Sequence, residues 1–223
     1  MYIIQFGEIL KYYDVLLKGL LVTLELTVLT MLFGTILGII ISLGRISKNK
    51  LIYGLSTGYV EFFRNVPLLV LLYIVYFVPP DLFGLRLEAF VAGLIAMTLN
   101  SAAYEAEIIR AGIKGIRDEE REAALSLGLS KLQLYRFIII PHALRLIWEA
   151  LGNQLVGIIL GSCITSIITV GEVTYEGLII GSRTARHFEV FIILLILYVA
   201  LSVIMSTIFR VIKMVFMKPA ELE

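Results

Sequence analysis

Charge is scarce in this chain. Only 17% of its 223 residues are Asp, Glu, Lys or Arg, and the formal net charge is +1. That balance excludes a nucleic-acid binder that works through a basic face, and a disordered polyelectrolyte as well. Cysteine is nearly missing: Cys163 stands alone, so no disulfide framework can form within the chain. Histidine is limited to His142 and His187, neither with a second ligand at metal spacing, so no metal site is expected. The phosphate-cradling pattern Gly-x-x-x-x-Gly-Lys-Ser/Thr is absent, which excludes a P-loop ATPase. What is abundant is apolar surface. Fifty-nine per cent of the residues are hydrophobic and the mean hydropathy is +0.95, which rules out an ordinary soluble globule. The composition predicts an all-α integral membrane protein.

A hydrocarbon layer about 30 Å thick takes roughly 20 helical residues to cross. Apolar runs predict five transmembrane helices, at about 19–43, 51–78, 87–109, 146–170 and 189–211, within a membrane domain over 19–215. The second run should close at Pro79-Pro80, since proline breaks a helix. Residues 1–18, with Ile3, Ile4, Phe6, Ile9, Leu10 and Tyr13 among polar neighbours, read as an amphipathic helix on the outer surface. No cleaved signal peptide is expected, because no basic residue precedes Lys11. Five crossings place the termini on opposite sides. One set of loops holds Arg45, Lys48, Lys50, the basic residues from Arg110 to Arg145, and then Arg210, Lys213 and Lys218. The other set holds Lys11, Lys18, Arg86, Arg183 and Arg186. The positive-inside rule therefore puts the N-terminus outside and the C-terminus in the cytoplasm.

The inner loop over 112–142 has helical grammar of its own. Asp118, Glu119, Glu120 and Glu122 crowd the positive end of one short helix, and Gly128 supplies a left-handed stop. Ser130 and Gln133 read as a capping box that opens a second short helix, ended near Pro141. Leu125, Leu127, Leu129, Leu132, Leu134 and Phe137 give this loop more apolar surface than it can bury in itself. It either lies on the bundle or the lipid headgroups, or docks a partner.

A resemblance separates these readings. Glu122-Ala123-Ala124, then Gly128, then Ile138 and Ile140-Pro141, resembles the EAA motif of permease subunits of bacterial ATP-binding-cassette importers. The stretch from Tyr59 through Glu61, Arg64 and Pro67 to Val70 is similar to the second span of polar amino acid permeases of the histidine, glutamine and arginine type. Ala103 to Ile113 resembles the end of their third span. The likeness covers roughly residues 15–215. It implies the type I importer permease fold in a bacterial cell membrane, with Glu122, Ala123, Ala124, Leu125, Leu127, Gly128, Leu129, Leu132 and Pro141 forming the coupling helices that seat in an ATPase subunit. It also implies a second permease chain, two ATP-binding subunits and an extracellular solute-binding protein. ATP and magnesium would be held by the ATPase, and this chain would need no cofactor.

Polar groups inside a span are costly, so they normally face protein or a wet cavity. Candidates for the cavity are Glu61 and Arg64, able to pair three apart on one helix; Thr98, Asn100 and Ser101 near the middle of span three; and Glu149, Asn153 and Gln154 in span four. Each set has a structural alternative, as salt bridge or interhelical hydrogen bonding. Glu105, Glu107 and Arg110, at the inner end of span three, are assigned no substrate role. Gly34 with Gly38 and Gly157 with Gly161 read as close-packing pairs. Glu25, Glu61 and Glu149 outnumber Arg64 within the spans, which favours a basic amino acid as cargo. The expected function is the permease subunit of an ATP-driven importer of a polar, preferentially basic, L-amino acid. A membrane enzyme using Glu61, Glu149 and His142, or a channel or scaffold subunit without an ATPase, is the alternative.

Overall fold

The computed structural model describes residues 4–216, and they are helical throughout their ordered elements, with no strand among them. Ile3 and Lys218, which entered the amphipathic and charge readings, lie outside the described residues. Helix α1 (Phe6–Leu10) is followed by α2 (Tyr13–Arg45), α3 (Lys50–Asn65), α4 (Leu68–Phe83), α5 (Ala89–Lys114) and α6 (Asp118–Ser126). Then come α7 (Lys131–Gln133), a π-helical segment (Leu134–Ile139), α8 (Ile140–Gly161), a 3-10 segment (Ser162–Ile168), α9 (Val173–Thr184) and α10 (His187–Phe216). Four stretches are long and apolar enough to cross a membrane: Tyr13–Arg45, Ala89–Lys114, Lys131–Ile168 and His187–Val215. Helices α3 and α4 supply a fifth as a pair bent by 104°.

That bend is the main departure from the expected spans. The sequence reads as one helix over 51–78, yet the chain turns at Val66-Pro67, because a residue preceding proline is pushed out of the helical region. Val66 has φ −86° and ψ 127°, and Pro67 then caps α4. Pro79 and Pro80 do not close this helix. They sit in its last turns, and the stop comes at Gly84, whose left-handed φ of +66° turns the Leu85 N–H back to the Pro79 carbonyl at 3.3 Å.

Pro141 does not end a helix either. A proline in an α register clashes with the carbonyl four residues back and offers it no N–H. Here the π segment precedes it, and the Ile140 N–H donates to the carbonyl of Tyr135, five residues back. The wider turn shifts the register ahead of the ring. The helix therefore runs on from Lys131 to Ile168.

The bundle core is built on α5, which packs against α2, α3, α4 and α8. Close approach of α2 depends on Gly34 and Gly38, where a Cβ would stand 2.9 Å from Glu105 Oε1 and 3.1 Å from Glu105 Cβ. Gly157 differs from the packing role expected of it, since nothing lies within 4 Å of its would-be Cβ. At the N-terminus the expected surface helix is short, and Ile9 packs fully buried against Val173, Ile180 and Val190. The Gln5 N–H and the Arg186 guanidinium both donate to Glu189 Oε1, at 3.1 and 2.9 Å, which ties this end to α10.

Candidate functional site

Two places combine exposed or buried polar chemistry with the residues singled out above. The first is the elbow between α6 and α8. Gly128 has φ +81°, and a Cβ there would meet nothing within 4 Å, so torsion rather than space demands glycine. Its N–H donates to the Leu125 carbonyl at 2.9 Å, and the Leu129 N–H donates to the Ala124 carbonyl at 3.3 Å. The Ser130 capping box forms: the Ser130 N–H donates to Gln133 Oε1 at 2.8 Å, and the Gln133 N–H returns to Ser130 Oγ at 3.4 Å. Arg121 Nη2 donates to the Ile113 carbonyl at 2.6 Å, fastening α6 to the end of α5.

The elbow has a small core of Ile116, Ala124, Leu134, Ile139 and Ala143, with Leu129 packed beside it. Leu134 and, in part, Leu129 therefore turn inward, and the free apolar face is smaller than the sequence implied. What stays outside is Leu127 at 84% exposure, Leu132 at 77%, and Leu125 and Phe137. Glu122, Ala123 and Pro141 are exposed around them.

The second place is a niche of about 40 Å³ at the bend between α3 and α4, lined by Leu68, Asn100, Ser101, Gln154, Gly157 and Gly161 among others. Asn100 Nδ2 donates to the Phe63 carbonyl at 2.9 Å, one turn before the break. Gln154 Nε2 donates to Ser101 Oγ at 3.0 Å, and Ser101 Oγ donates to Glu105 Oε1 at 2.7 Å. Thr35 Oγ1 holds the other oxygen of Glu105, whose side chain is fully buried. No cation lies within 4 Å of that carboxyl among the described residues. Glu105 is thus not the interfacial residue the sequence reading made it. Its signal was available, as Ser101 and Glu105 share a face of α5 opposite the Gly34 and Gly38 pair.

The remaining candidates do not converge on this niche. Thr98 is half-buried and does not line it. Glu149 and Asn153 lie on another face of α8, in a shallow recess with Trp148, Phe209 and Arg210, and Glu149 Oε1 accepts from Lys213 Nζ at 2.6 Å. Glu149 is 77% exposed there. Glu61 and Arg64 do not form the expected pair. The Arg64 guanidinium sits 5.4 Å from the Tyr104 ring centre, and the Tyr104 hydroxyl lies 3.4 Å from the Arg64 carbonyl.

A broken helix beside converging amide and hydroxyl groups is the pattern of a transporter, where unwound backbone is tolerated only against protein or a water-filled path. The model of the binding-protein-dependent transport system inner membrane component family matches residues 34–213. The chain belongs to that family. This permease is 32% identical over 212 residues to the putative glutamine transport system permease protein GlnP of Rickettsia bellii (strain RML369-C), covering 95% of this chain and 96% of the relative. It is 34% identical over 203 residues to the arginine transport system permease protein ArtQ of Bacillus subtilis (strain 168), with 91% and 93% covered. Among solved structures, an amino acid ABC transporter with histidines superposes with a TM-score of 0.88 at 36% identity, covering 95% of the permease and 99% of that chain. A methionine transporter at 21% identity, with a TM-score of 0.73, shares the fold. The type I importer permease fold and a multi-pass place in the inner membrane follow from these matches.

Proposed function

We propose that this chain forms half of the translocation path for a polar L-amino acid, paired with a second permease chain and driven by two ATP-binding subunits. An extracellular solute-binding protein delivers the cargo, and ATP with magnesium is bound by the ATPase subunits. The N-terminus faces outward and the C-terminus the cytoplasm. The observation that carries this reading is the elbow at Gly128, which leaves Leu127 and Leu132 uncovered by the described residues. ATP-driven closure of the motor pair pulls on that elbow and switches the cavity between its two faces.

Cargo recognition is assigned to the niche at Asn100, Ser101 and Gln154. A space of about 40 Å³ takes one water-sized group in this state, so α8 must move away from Leu68 to admit an amino acid. The preference for a basic cargo rests on Glu105, because Lys213 compensates Glu149 and Glu61 does not line the niche. An ammonium in the niche meets the hydrogen-bond chain that ends on the buried Glu105 carboxyl. The membrane-enzyme alternative is disfavoured because its three groups have separate surroundings: Glu149 faces Lys213, His142 Nδ1 lies 3.6 Å from Glu120, and Glu61 is exposed on α3.

The test is co-expression with the ATP-binding subunit, followed by reconstitution into liposomes with the solute-binding protein. ATP-dependent uptake of radiolabelled glutamine or arginine is expected, with basic cargo preferred. Recovery of the permease without an ATP-binding subunit, or preferential uptake of glutamate, refutes the reading.

A further inference from the structure

Toward the α6 end of α5 lies a second, larger and open recess, apolar over most of its wall but edged by charged side chains. It measures about 550 Å³, and its wall includes Arg64 from α3, Glu107 and Arg110 from α5, and Leu146, Ile147 and Ala150 from α8. The register of α5 and α8 sets the two linings along one face of each helix. On α5, Asn100, Tyr104, Glu107 and Ala111 follow each other at helical spacing, and on α8 so do Gln154, Ala150 and Ile147. A solute leaving the niche toward the cytoplasm passes this wall.

Its electrostatics are unbalanced. Arg110 donates to Glu107 through two bonds, Nε to Oε1 at 2.9 Å and Nη2 to Oε2 at 2.8 Å. Arg45 Nη1 donates to Glu107 Oε1 as well. One carboxylate thus serves two guanidinium groups, and one positive charge is left over. Arg64 adds another, since no carboxylate lies within 4 Å of it among the described residues, and its guanidinium is exposed over Tyr104. Arginine keeps its charge at any relevant pH, and its fork of donors matches a carboxylate. The Tyr104 face holds the Arg64 plane in position while leaving its N–H edges open.

We infer that this inner cavity is a second station for the amino acid, where Arg64, supported by the Arg45–Glu107–Arg110 cluster, takes the cargo's α-carboxylate after it leaves the niche. The inference rests on the transport reading above and adds a site to it. A carboxylate is preferred to a lipid phosphate because this lining continues that of the niche along the same faces of α5 and α8, and because Ala111, Gly112, Leu146 and Ala150 give it small or apolar walls suited to a single solute.

Arginine-selective labelling reads this site directly. The permease with its ATP-binding subunit is placed in nanodiscs of phosphatidylcholine, treated with phenylglyoxal, and the modification of Arg64 followed by peptide mass spectrometry. L-Glutamine at millimolar concentration is expected to slow Arg64 modification at least threefold, while 4-aminobutanamide, which lacks the carboxylate, leaves it unchanged. Equal protection by both, or none by either, overturns the proposal. A parallel arm replaces half of the lipid with phosphatidylglycerol: suppression by that lipid without protection by glutamine assigns the site to headgroups and overturns it too. Asn100→Ala with Gln154→Ala removes polar groups of the niche. Protection that persists in this variant supports a separate station; protection that disappears with them refutes it. Because labelling needs no ATP turnover, its result is independent of whether uptake itself is observed.

Discussion

Replacing Leu127 by alanine or aspartate separates docking from folding. Leu127 is 84% exposed and contributes nothing to the elbow's own core, which is built from Ile116, Ala124, Leu134, Ile139 and Ala143. Burying a leucine side chain fully is worth about 1.5–3 kcal/mol. Almost all of that surface is free to be covered on docking, so Leu127→Ala should weaken capture of the ATP-binding subunit by about 2 kcal/mol, or roughly 30-fold. Leu127→Asp also drives an unpaired carboxylate into the contact, for a loss of at least about 3 kcal/mol and more than about 100-fold. The assay is a titration of purified ATP-binding subunit onto the permease in nanodiscs, with membrane insertion measured alongside. Leu134→Ala serves as the internal contrast. It opens a cavity in the elbow and should lower thermal stability, an effect Leu127→Ala should not have. Full transport and undiminished capture by the Leu127→Asp permease refute the docking argument.

Three further outcomes follow from the geometry. Gly128→Ala forces a side chain into φ +81° at a cost of about 1–2 kcal/mol, so transport should fall while insertion holds, and Gly128→Asn should be milder; equal effects of the two in uptake assays contradict the torsional account. Gly34→Val collides with Glu105 Oε1, where even a Cβ stands 2.9 Å away, and should lower the thermal midpoint in detergent more than Gly157→Ala, whose Cβ meets open space. Pro141→Ala restores an N–H and removes the ring that the π segment accommodates, and the elbow should then turn relative to α8. Spin labels at Leu127 and Gly157 should report a changed distance, and ATP hydrolysis should proceed with less uptake per turnover.

Helix content and the elbow were legible in the sequence because both are written locally. Gly128, Ser130 and Gln133 act within a few residues of themselves, and their stop and capping box form as the spacing implies. The misread points are those where a neighbour decides. Pro67 turns the second span although the apolar run continues through it, whereas Pro79, Pro80 and Pro141 lie inside continuing helices. A proline is read as a stop only when nothing upstream adjusts the register, and a π turn is invisible to hydropathy. The niche was half legible. Asn100, Ser101 and Gln154 do meet, but Glu149 and Asn153 leave on another face of α8 because residues four apart share a face with each other and not with residue 154. Glu105 was read from its place near the end of a span, when the glycines of α2 opposite it were the better guide.

Continuity of α8 with the elbow determines what the motor can move. Gln154 lies 23 positions after Lys131 in a helix that runs unbroken from Lys131 to Ile168, so the elbow and the niche are about 35 Å apart along one lever. Leu146, Ile147 and Ala150 sit on the same lever, beside the inner cavity. Helix α4 is set off from α3 by the 104° bend and packs on α5 and on the 3-10 segment at the far end of that lever. On the proposed docking, a displacement applied at Leu127 and Leu132 would travel along α8 to Gln154, Gly157 and Gly161, while Asn100 and Ser101 are carried by α5. The niche lies between these two sets, so it opens or closes as α8 moves. The same motion brings the apolar α8 wall of the inner cavity toward or away from Arg64 and Glu107. On the proposed two-station path, one rigid element would serve both stations, with no separate hinge for each.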